Sequence, residues 1–221
     1  MKPLFKLTCF VTLLVGLLGI QVFASVAVYY SFNSTNAIAD IGTNISVFSY
    51  QNSGGFATNF SAGTTLNVQS NSSGGLFPAG VSISQDHWVG NTNFFQFTLN
   101  AATLQDIVVS YAWQRSSMGP TNAIFQYSLA GGGGSFVDFV TNAVPTDFTS
   151  AGGVVTQDLS TVSALDGDSN IAFRIVGINV GGTAGTLRLD NFTINAIPEP
   201  STEVLVGLGL AVLVALCARR R

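Results

Sequence analysis

Residues 186–194 of this 221-residue chain, with the sequence TLRLDNFTI, carry an informative strand pattern. The two leucines alternate with polar residues, which is typical of a strand with one buried face. Leu187 and Leu189 occupy odd positions, whereas Phe192 and Ile194 occupy even ones. In a regular strand, odd and even positions face opposite sides, so one of the two pairs would be exposed. A β-bulge near Asp190 and Asn191 would turn all four apolar side chains to the core, and we predict one there.

Short apolar or alternating runs of the same kind recur between clusters of Gly, Asn and Ser from residue 25 to residue 196, without a helical period. This pattern is typical of a β-sandwich or barrel. A glycine turn at residues 131–134 predicts a hairpin between the runs that flank it. The predicted strands cover residues 26–32, 45–50, 64–68, 94–99, 107–113, 124–129, 136–140, 170–176 and 186–194.

The same segment carries little charge. It contains three arginines, nine aspartates and neither lysine nor glutamate, which gives a net charge of about −6 by this count. Nucleic-acid binding requires a basic surface, so we predict no nucleic-acid partner. A surface rich in hydroxyl and amide groups suits uncharged polymers such as polysaccharide, although it is also ordinary for secreted β-proteins. Both cysteines, Cys9 and Cys217, lie in the apolar ends, so the domain would fold without a disulfide.

The N-terminus has the pattern of a secretory signal. Lys2 and Lys6 precede an apolar stretch at residues 7–20, and small residues follow. We predict a signal helix over residues 1–24, with cleavage after Ala24 or Ala27. The alternative is an uncleaved N-terminal anchor.

The C-terminus combines three features in order: Pro198-Glu199-Pro200, an uncharged run at residues 204–218, and Arg219-Arg220-Arg221. At 1.5 Å per residue the run spans roughly 22 Å, less than the roughly 30 Å hydrocarbon core, but arginine side chains can extend it to the interface. Basic residues after the run favour a cytoplasmic C-terminus. We predict a transmembrane helix over residues 204–218; it is either a permanent anchor or a tail that is held briefly and cleaved.

This order of features resembles the PEP-CTERM sorting tail of Gram-negative surface proteins, here over residues 197–221. The resemblance implies an exosortase as partner and export through the inner membrane. It also implies a final place at the cell surface or outside the cell, in association with exopolysaccharide and biofilm.

Residues 25–196 resemble the jelly-roll domains that are common in PEP-CTERM proteins, relatives of carbohydrate-binding-module and galactose-binding-like sandwiches. The motifs that carry the resemblance are YYSFN at 29–33, QYS at 126–128, AFRI at 172–175 and GTLRLDNFTI at 185–194. The resemblance implies an all-β fold, a two-sheet antiparallel jelly-roll sandwich.

The chain offers little for catalysis, and we predict that it is not an enzyme. His87 is the only histidine, its neighbour Asp86 is too close in sequence to be an obvious triad partner, and no G-x-S-x-G motif is present. Aspartates alone do not identify the carboxylate pair of a glycosidase.

Two places could hold calcium, the one cofactor that we consider. Asp166, Asp168 and Asn170 put oxygen ligands at alternate positions, as in loops that bind hard cations, although the glycine and glutamate of an EF-hand are missing. The alternative is an acidic turn between strands. Asp190 is a second candidate by resemblance, since sandwich modules often bind a structural ion near a terminal strand.

A sugar site would need exposed aromatic rings. Tyr111 and Trp113 share the predicted core face of one strand, whereas Trp88 stands beside Gly90 and Asn91 and is expected to be partly exposed. We therefore single out Trp88 for sugar binding. The leading hypothesis is a non-catalytic structural or adhesive matrix protein, the second is a carbohydrate-binding module with a defined sugar site, and the third is a secreted hydrolase.

Overall fold

The computed structural model describes residues 23–51, 58–70, 73, 75–88, 92–182, 184–199 and 218. Apart from Phe23, Ala24 and Ala218, the predicted signal helix and transmembrane helix lie outside these residues. Within the described part, no helix has the length and apolar character needed to cross a bilayer.

Eleven strands make up the described fold, with short 3-10 turns at Gly131–Gly133 and Ser163–Leu165. The strands are β1 (Ser25–Tyr30), β2 (Ser46–Gln51), β3 (Thr58–Ala62), β4 (Val81–Asp86), β5 (Phe94–Leu99), β6 (Leu104–Arg115), β7 (Pro120–Ser128), β8 (Val137–Ala143), β9 (Val154–Asp158), β10 (Ile171–Val180) and β11 (Thr186–Pro198).

The strands pair into two antiparallel sheets. Sheet A has the order β3-β4-β11-β6-β9, with β1 also paired to β11, and sheet B has the order β2-β5-β10-β7-β8. The predicted all-β, two-sheet antiparallel jelly-roll sandwich is therefore confirmed. The segment 64–68 is not a strand; the nearby strand is Thr58–Ala62.

Strands β4 and β9 were not predicted from the sequence. The β4 sequence VSISQD buries Ser82, Ser84 and Gln85 together with Ile83, so both of its faces are covered and no apolar alternation marks it. Strand β9 has only five residues and lies at the edge of sheet A, where polar residues are tolerated.

Strand β11 is the centre of sheet A. One edge pairs with β6, while the other pairs with β4 at residues 186–189 and with β1 at residues 192–196. The register with β6 shifts between Asp190 and Thr193, and Asn191 has a φ of 51°. The predicted β-bulge is confirmed.

The bulge places the four apolar side chains of β11 on one side of the sheet. Leu187, Leu189, Phe192 and Ile194 are each at most 1% exposed. Phe192 stacks on Phe97 of sheet B, with 3.5 Å between ring centroids and 3° between ring planes. The two sheets are therefore joined through a face-to-face aromatic contact at the centre of the core.

The expectation that Trp88 is partly exposed is wrong. Its side chain is 1% exposed, and the indole Nε1 donates to the Gln85 carbonyl oxygen at 2.8 Å. His87, with a φ of 57°, turns the chain after β4 and directs Trp88 into the core. There it packs against Gly177, where a Cβ would lie 2.7 Å from the ring, so the backbone of β10 approaches closely only because this residue is glycine.

We expect Trp88→Ala to destabilise the domain by about 3–5 kcal/mol, because it empties a large core site and removes a buried hydrogen bond. The melting temperature should fall by roughly 10 °C. Leu76→Ala is the matched control, since Leu76 is 68% exposed and its truncation should leave the melting temperature nearly unchanged. Equal melting temperatures for both variants would contradict the buried position of Trp88.

Candidate functional site

The outer face of sheet B carries an open groove of about 510 Å³, which falls within the roughly 300–1,000 Å³ of ordinary ligand pockets. Apolar and polar side chains share its lining. The apolar ones are Phe94, Ile124, Phe136 and Val176, and the polar ones include Gln51, Gln126, Asp138 and Arg174.

One outward-facing residue from each strand of sheet B lies in a straight row, which we call the polar row. It consists of Ser49, Gln96, Arg174, Gln126 and Asp138, each opposite the next in register. Since neighbouring strands are about 4.8 Å apart, the row crosses the sheet over roughly 19 Å. Of its five members, Arg174, Gln126 and Asp138 line the groove and give it a polar floor that runs perpendicular to the strands.

Hydrogen bonds connect most of the polar row. Gln96 Nε2 donates to Ser49 Oγ at 3.2 Å, and Arg174 Nε donates to Gln96 Oε1 at 2.6 Å. At the other end Gln126 Nε2 donates to Asp138 Oδ1 at 2.6 Å. These contacts fix the side chains before any ligand arrives, which lowers the entropic cost of binding.

Arg174 is held between two aromatic rings. Its guanidinium carbon lies 4.0 Å from the ring centroid of Phe94 and 3.8 Å from that of Phe136, and Nη2 donates to the Gly132 carbonyl oxygen at 3.1 Å. Desolvation by burial lowers the pKa of Arg174 from its ordinary value, although an arginine side chain stays charged in proteins. The side chain thus fastens the glycine turn before β8 onto the sheet.

A second row runs beside the polar row, two residues further along the strands. Gln51, Phe94, Val176 and Ile124 are opposite one another in register. Phe94, Val176 and Ile124 of this second row form what we call the apolar strip. Such a strip beside polar side chains can hold an elongated ligand that has both apolar faces and polar substituents. The sequence showed the alternation of these strands but not the register that aligns them.

The structure describes two residues of the predicted sorting motif. Pro198 is the last residue of β11 and lies opposite Leu104, and the Glu199 N–H donates to the Thr103 carbonyl oxygen at 2.8 Å. The motif therefore begins on sheet A itself. Pro200, Arg219, Arg220 and Arg221 lie outside the described residues.

The side chains of the predicted calcium loop do not converge on one point. Asp166 Oδ1 accepts from the backbone N–H of Asp106 at 3.0 Å, whereas Asp168 Oδ1 accepts from the backbone N–H of Asn170 at 2.9 Å. Among the described residues, no three His, Cys, Asp or Glu side chains cluster as metal ligands would. Calcium at this loop stays a prediction.

Asp190 lies apart from that loop, inside the bulge of β11. It is 1% exposed, and its carboxylate accepts from the backbone N–H groups of Thr64 at 2.7 Å and Asn191 at 2.8 Å. A Cβ on Gly63 would lie 2.6 Å from Asp190 Oδ2, so this glycine allows the approach. Desolvation by burial raises the pKa of Asp190 to about 7, although both backbone hydrogen bonds oppose the rise.

Asn191 ties the neighbouring loop to β11. Its Nδ2 donates to the carbonyl oxygens of Thr64 and Leu66, each at 2.9 Å, and its Oδ1 accepts from the Tyr29 hydroxyl at 2.5 Å. Burial also raises the pKa of Tyr29, with the charge of Asp190 adding to the rise. The buried Asp190 carboxylate thus sits among uncharged donors, a setting that a proton or a cation would stabilise.

Comparison with known proteins identifies the C-terminus. Residues 196–221 match the PEP-CTERM protein-sorting motif. This match confirms the predicted sorting motif, which implies export and processing by an exosortase. No curated protein sequence matches the chain.

Several solved structures of the jelly-roll type are similar to the fold. The tandem CBM22-1–CBM22-2 domain of Paenibacillus barcinonensis Xyn10C is 12% identical, with a TM-score of 0.52 over 82% of this chain and 49% of that one. Its single CBM22-1 xylan-binding domain is 11% identical, with a TM-score of 0.46 over 81% and 99%. The K3 adhesin domain of Lys-gingipain from Porphyromonas gingivalis is 14% identical, with a TM-score of 0.44 over 78% and 99%. At these identities the likeness concerns the fold alone.

The raised pKa of Asp190 predicts a pH-dependent stability. Because the pKa is higher in the folded than in the unfolded chain, Asp190 stabilises the fold fully at pH values below about 4, and this contribution is lost as the pH rises through about 7. In EDTA, we expect the melting temperature of the domain to fall by several degrees between about pH 5 and pH 8. Asp190→Asn should flatten this dependence.

We propose that Ca²⁺ can replace the proton at Asp190. Added calcium should then raise the melting temperature more at about pH 8 than at pH 5, and Asp190→Asn should abolish the effect. An effect that survives Asp190→Asn but disappears in Asp168→Asn would assign calcium to the 166–170 loop instead. No rise with calcium in any form would exclude both sites.

Proposed function

We propose that this chain is an exported, exosortase-processed adhesive protein of the cell surface or extracellular matrix, which holds polysaccharide in the groove of sheet B and catalyses no reaction. The observation that carries the proposal is the polar row beside its apolar strip. In the groove it offers ring surface from Phe94 and Phe136 together with the polar groups of Arg174, Gln126 and Asp138.

The sorting motif supports the destination. Strand β11 ends within the motif at Pro198, and Glu199 is still hydrogen-bonded to the sheet through Thr103. The sandwich is therefore directly joined to the tail on which the exosortase acts. Cleavage of the tail would release the whole β-domain, with its groove, to the exterior, and biofilm exopolysaccharide is the polymer that we expect it to meet there.

The lining of the groove supports a binding role rather than hydrolysis. A glycosidase needs two carboxyl groups roughly 5–10 Å apart. Among the described lining residues only Asp138 carries a carboxylate, and Gln126 already donates to it. His87 follows β4 of sheet A and does not line this groove.

The binding role predicts that Phe136→Ala weakens retention on the exopolysaccharide of the producing cells by roughly tenfold, because it removes one ring from the groove wall. Val154→Ala is the control: Val154 is exposed on β9 of sheet A, and its truncation should change nothing. Affinity electrophoresis of the purified domain measures both. Equal retention of the two variants, or no retention of the wild type, would contradict the proposal.

Processing predicts a shortened protein. The intact mass of the protein recovered from the cell surface or the medium should correspond to a chain that begins after Ala24 or Ala27 and ends near Pro200. A mass that retains Arg221 would instead show a permanent membrane anchor.

A further inference from the structure

From the geometry of Arg174 we infer that the polysaccharide held by the groove is acidic, and that Arg174 binds the carboxylate of a uronic acid unit. This inference rests on the proposed function and adds the chemical class of the ligand. An acidic ligand differs from the uncharged polymer that the amino-acid composition favours, since a surface poor in charge suits neutral polymers.

The contacts of Arg174 leave part of its guanidinium free for a ligand. The side chain has five N–H donors, of which Nε bonds to Gln96 and Nη2 bonds to Gly132. The two rings that cover its faces restrict its rotation. The side chain lines the groove, and its other N–H donors have no acceptor among the described residues. A guanidinium fixed in this way presents its remaining donors at low entropic cost, in the planar geometry that suits a carboxylate.

The charges around Arg174 favour an anion. Its partners among the described residues are an amide oxygen, a backbone carbonyl oxygen and two phenyl rings, and all of them are uncharged. It is also the only cationic side chain among the described residues that line the groove. A half-buried cation without an anionic partner is stabilised when a ligand supplies one.

Arg115 shows the contrasting arrangement. Its Nε and Nη1 donate to the carbonyl oxygens of Val144, Ser116 and Ser117, so the chain itself uses its donors to hold a turn. Arg174 uses a single terminal donor, on Nη2, for the backbone, and its side chain lines the open groove. A structural role alone does not require that exposure.

Asp138 limits where the acidic group can lie. It belongs to β8, two strands from β10 and therefore roughly 10 Å away across the sheet. Gln126 stands between the two charges and donates to Asp138. A ligand carboxylate is thus disfavoured towards the β8 edge of the groove.

The test compares the exopolysaccharide of the producing cells in two forms: native, and after chemical reduction of its carboxylates to alcohols. We expect wild-type protein to bind the native polymer about tenfold or more tightly than the reduced one, since a hydrogen-bonded charge pair is lost. Added salt should reduce this preference. Arg174→Gln should weaken binding to the native polymer by a similar factor, so that the variant no longer prefers the native polymer to the reduced one.

Two further variants separate charge from structure. Arg174→Lys keeps the positive charge and should retain part of the preference for the native polymer. Arg188→Gln removes one positive charge from β11 of sheet A, away from the groove, and should retain the full preference. Melting temperatures of the variants check that each is folded.

The outcomes distinguish the inference from the proposed function. Equal binding of wild-type protein to native and reduced polymer overturns the acidic ligand but leaves a neutral polysaccharide in the groove. Equal weakening by Arg174→Gln on both polymers does the same, because it assigns Arg174 to holding the glycine turn. Absence of binding to either polymer overturns the proposed function together with the inference.

Discussion

The bulge at Asp190 and Asn191 sets how β11 faces the core between the two sheets. It shifts the register of β11 by one residue, and this shift turns Phe192 inward onto Phe97 of the opposite sheet. Without the shift, either the two leucines or Phe192 and Ile194 would face solvent. The aromatic contact between the sheets therefore exists because of a local irregularity in one strand.

The bulge also marks the point at which one edge of β11 changes its partner strand. Strand β4 pairs before the bulge and β1 pairs after it, while Asn191 holds the loop of Thr64 and Leu66 in place. The cost is a buried carboxylate at Asp190, whose ordinary charge is disfavoured by desolvation. Bulges of this kind often combine a structural task with a special chemical environment.

The two sheets carry separate features. Sheet A contains β11 and runs directly into the sorting motif at Pro198, so it joins the fold to the tail. Sheet B presents the groove, and its polar row comes from five strands that are distant in the sequence. A jelly roll suits this division because its two outer faces are independent surfaces, and fold alone does not assign a ligand to either of them.

The all-β class, most of the strands, the bulge and the sorting motif were predictable from the sequence, because each depends on local periodicity or on contiguous residues. The sequence did not reveal β4, whose two buried faces erase the alternation, or the burial of Trp88, which depends on the turn at His87 and on space above Gly177. The groove was equally hidden. Ser49, Gln96, Arg174, Gln126 and Asp138 look like ordinary solvent-facing residues, and only the register of five strands brings them into one row. That register is decided by tertiary packing, since each strand must place its apolar face on the shared core.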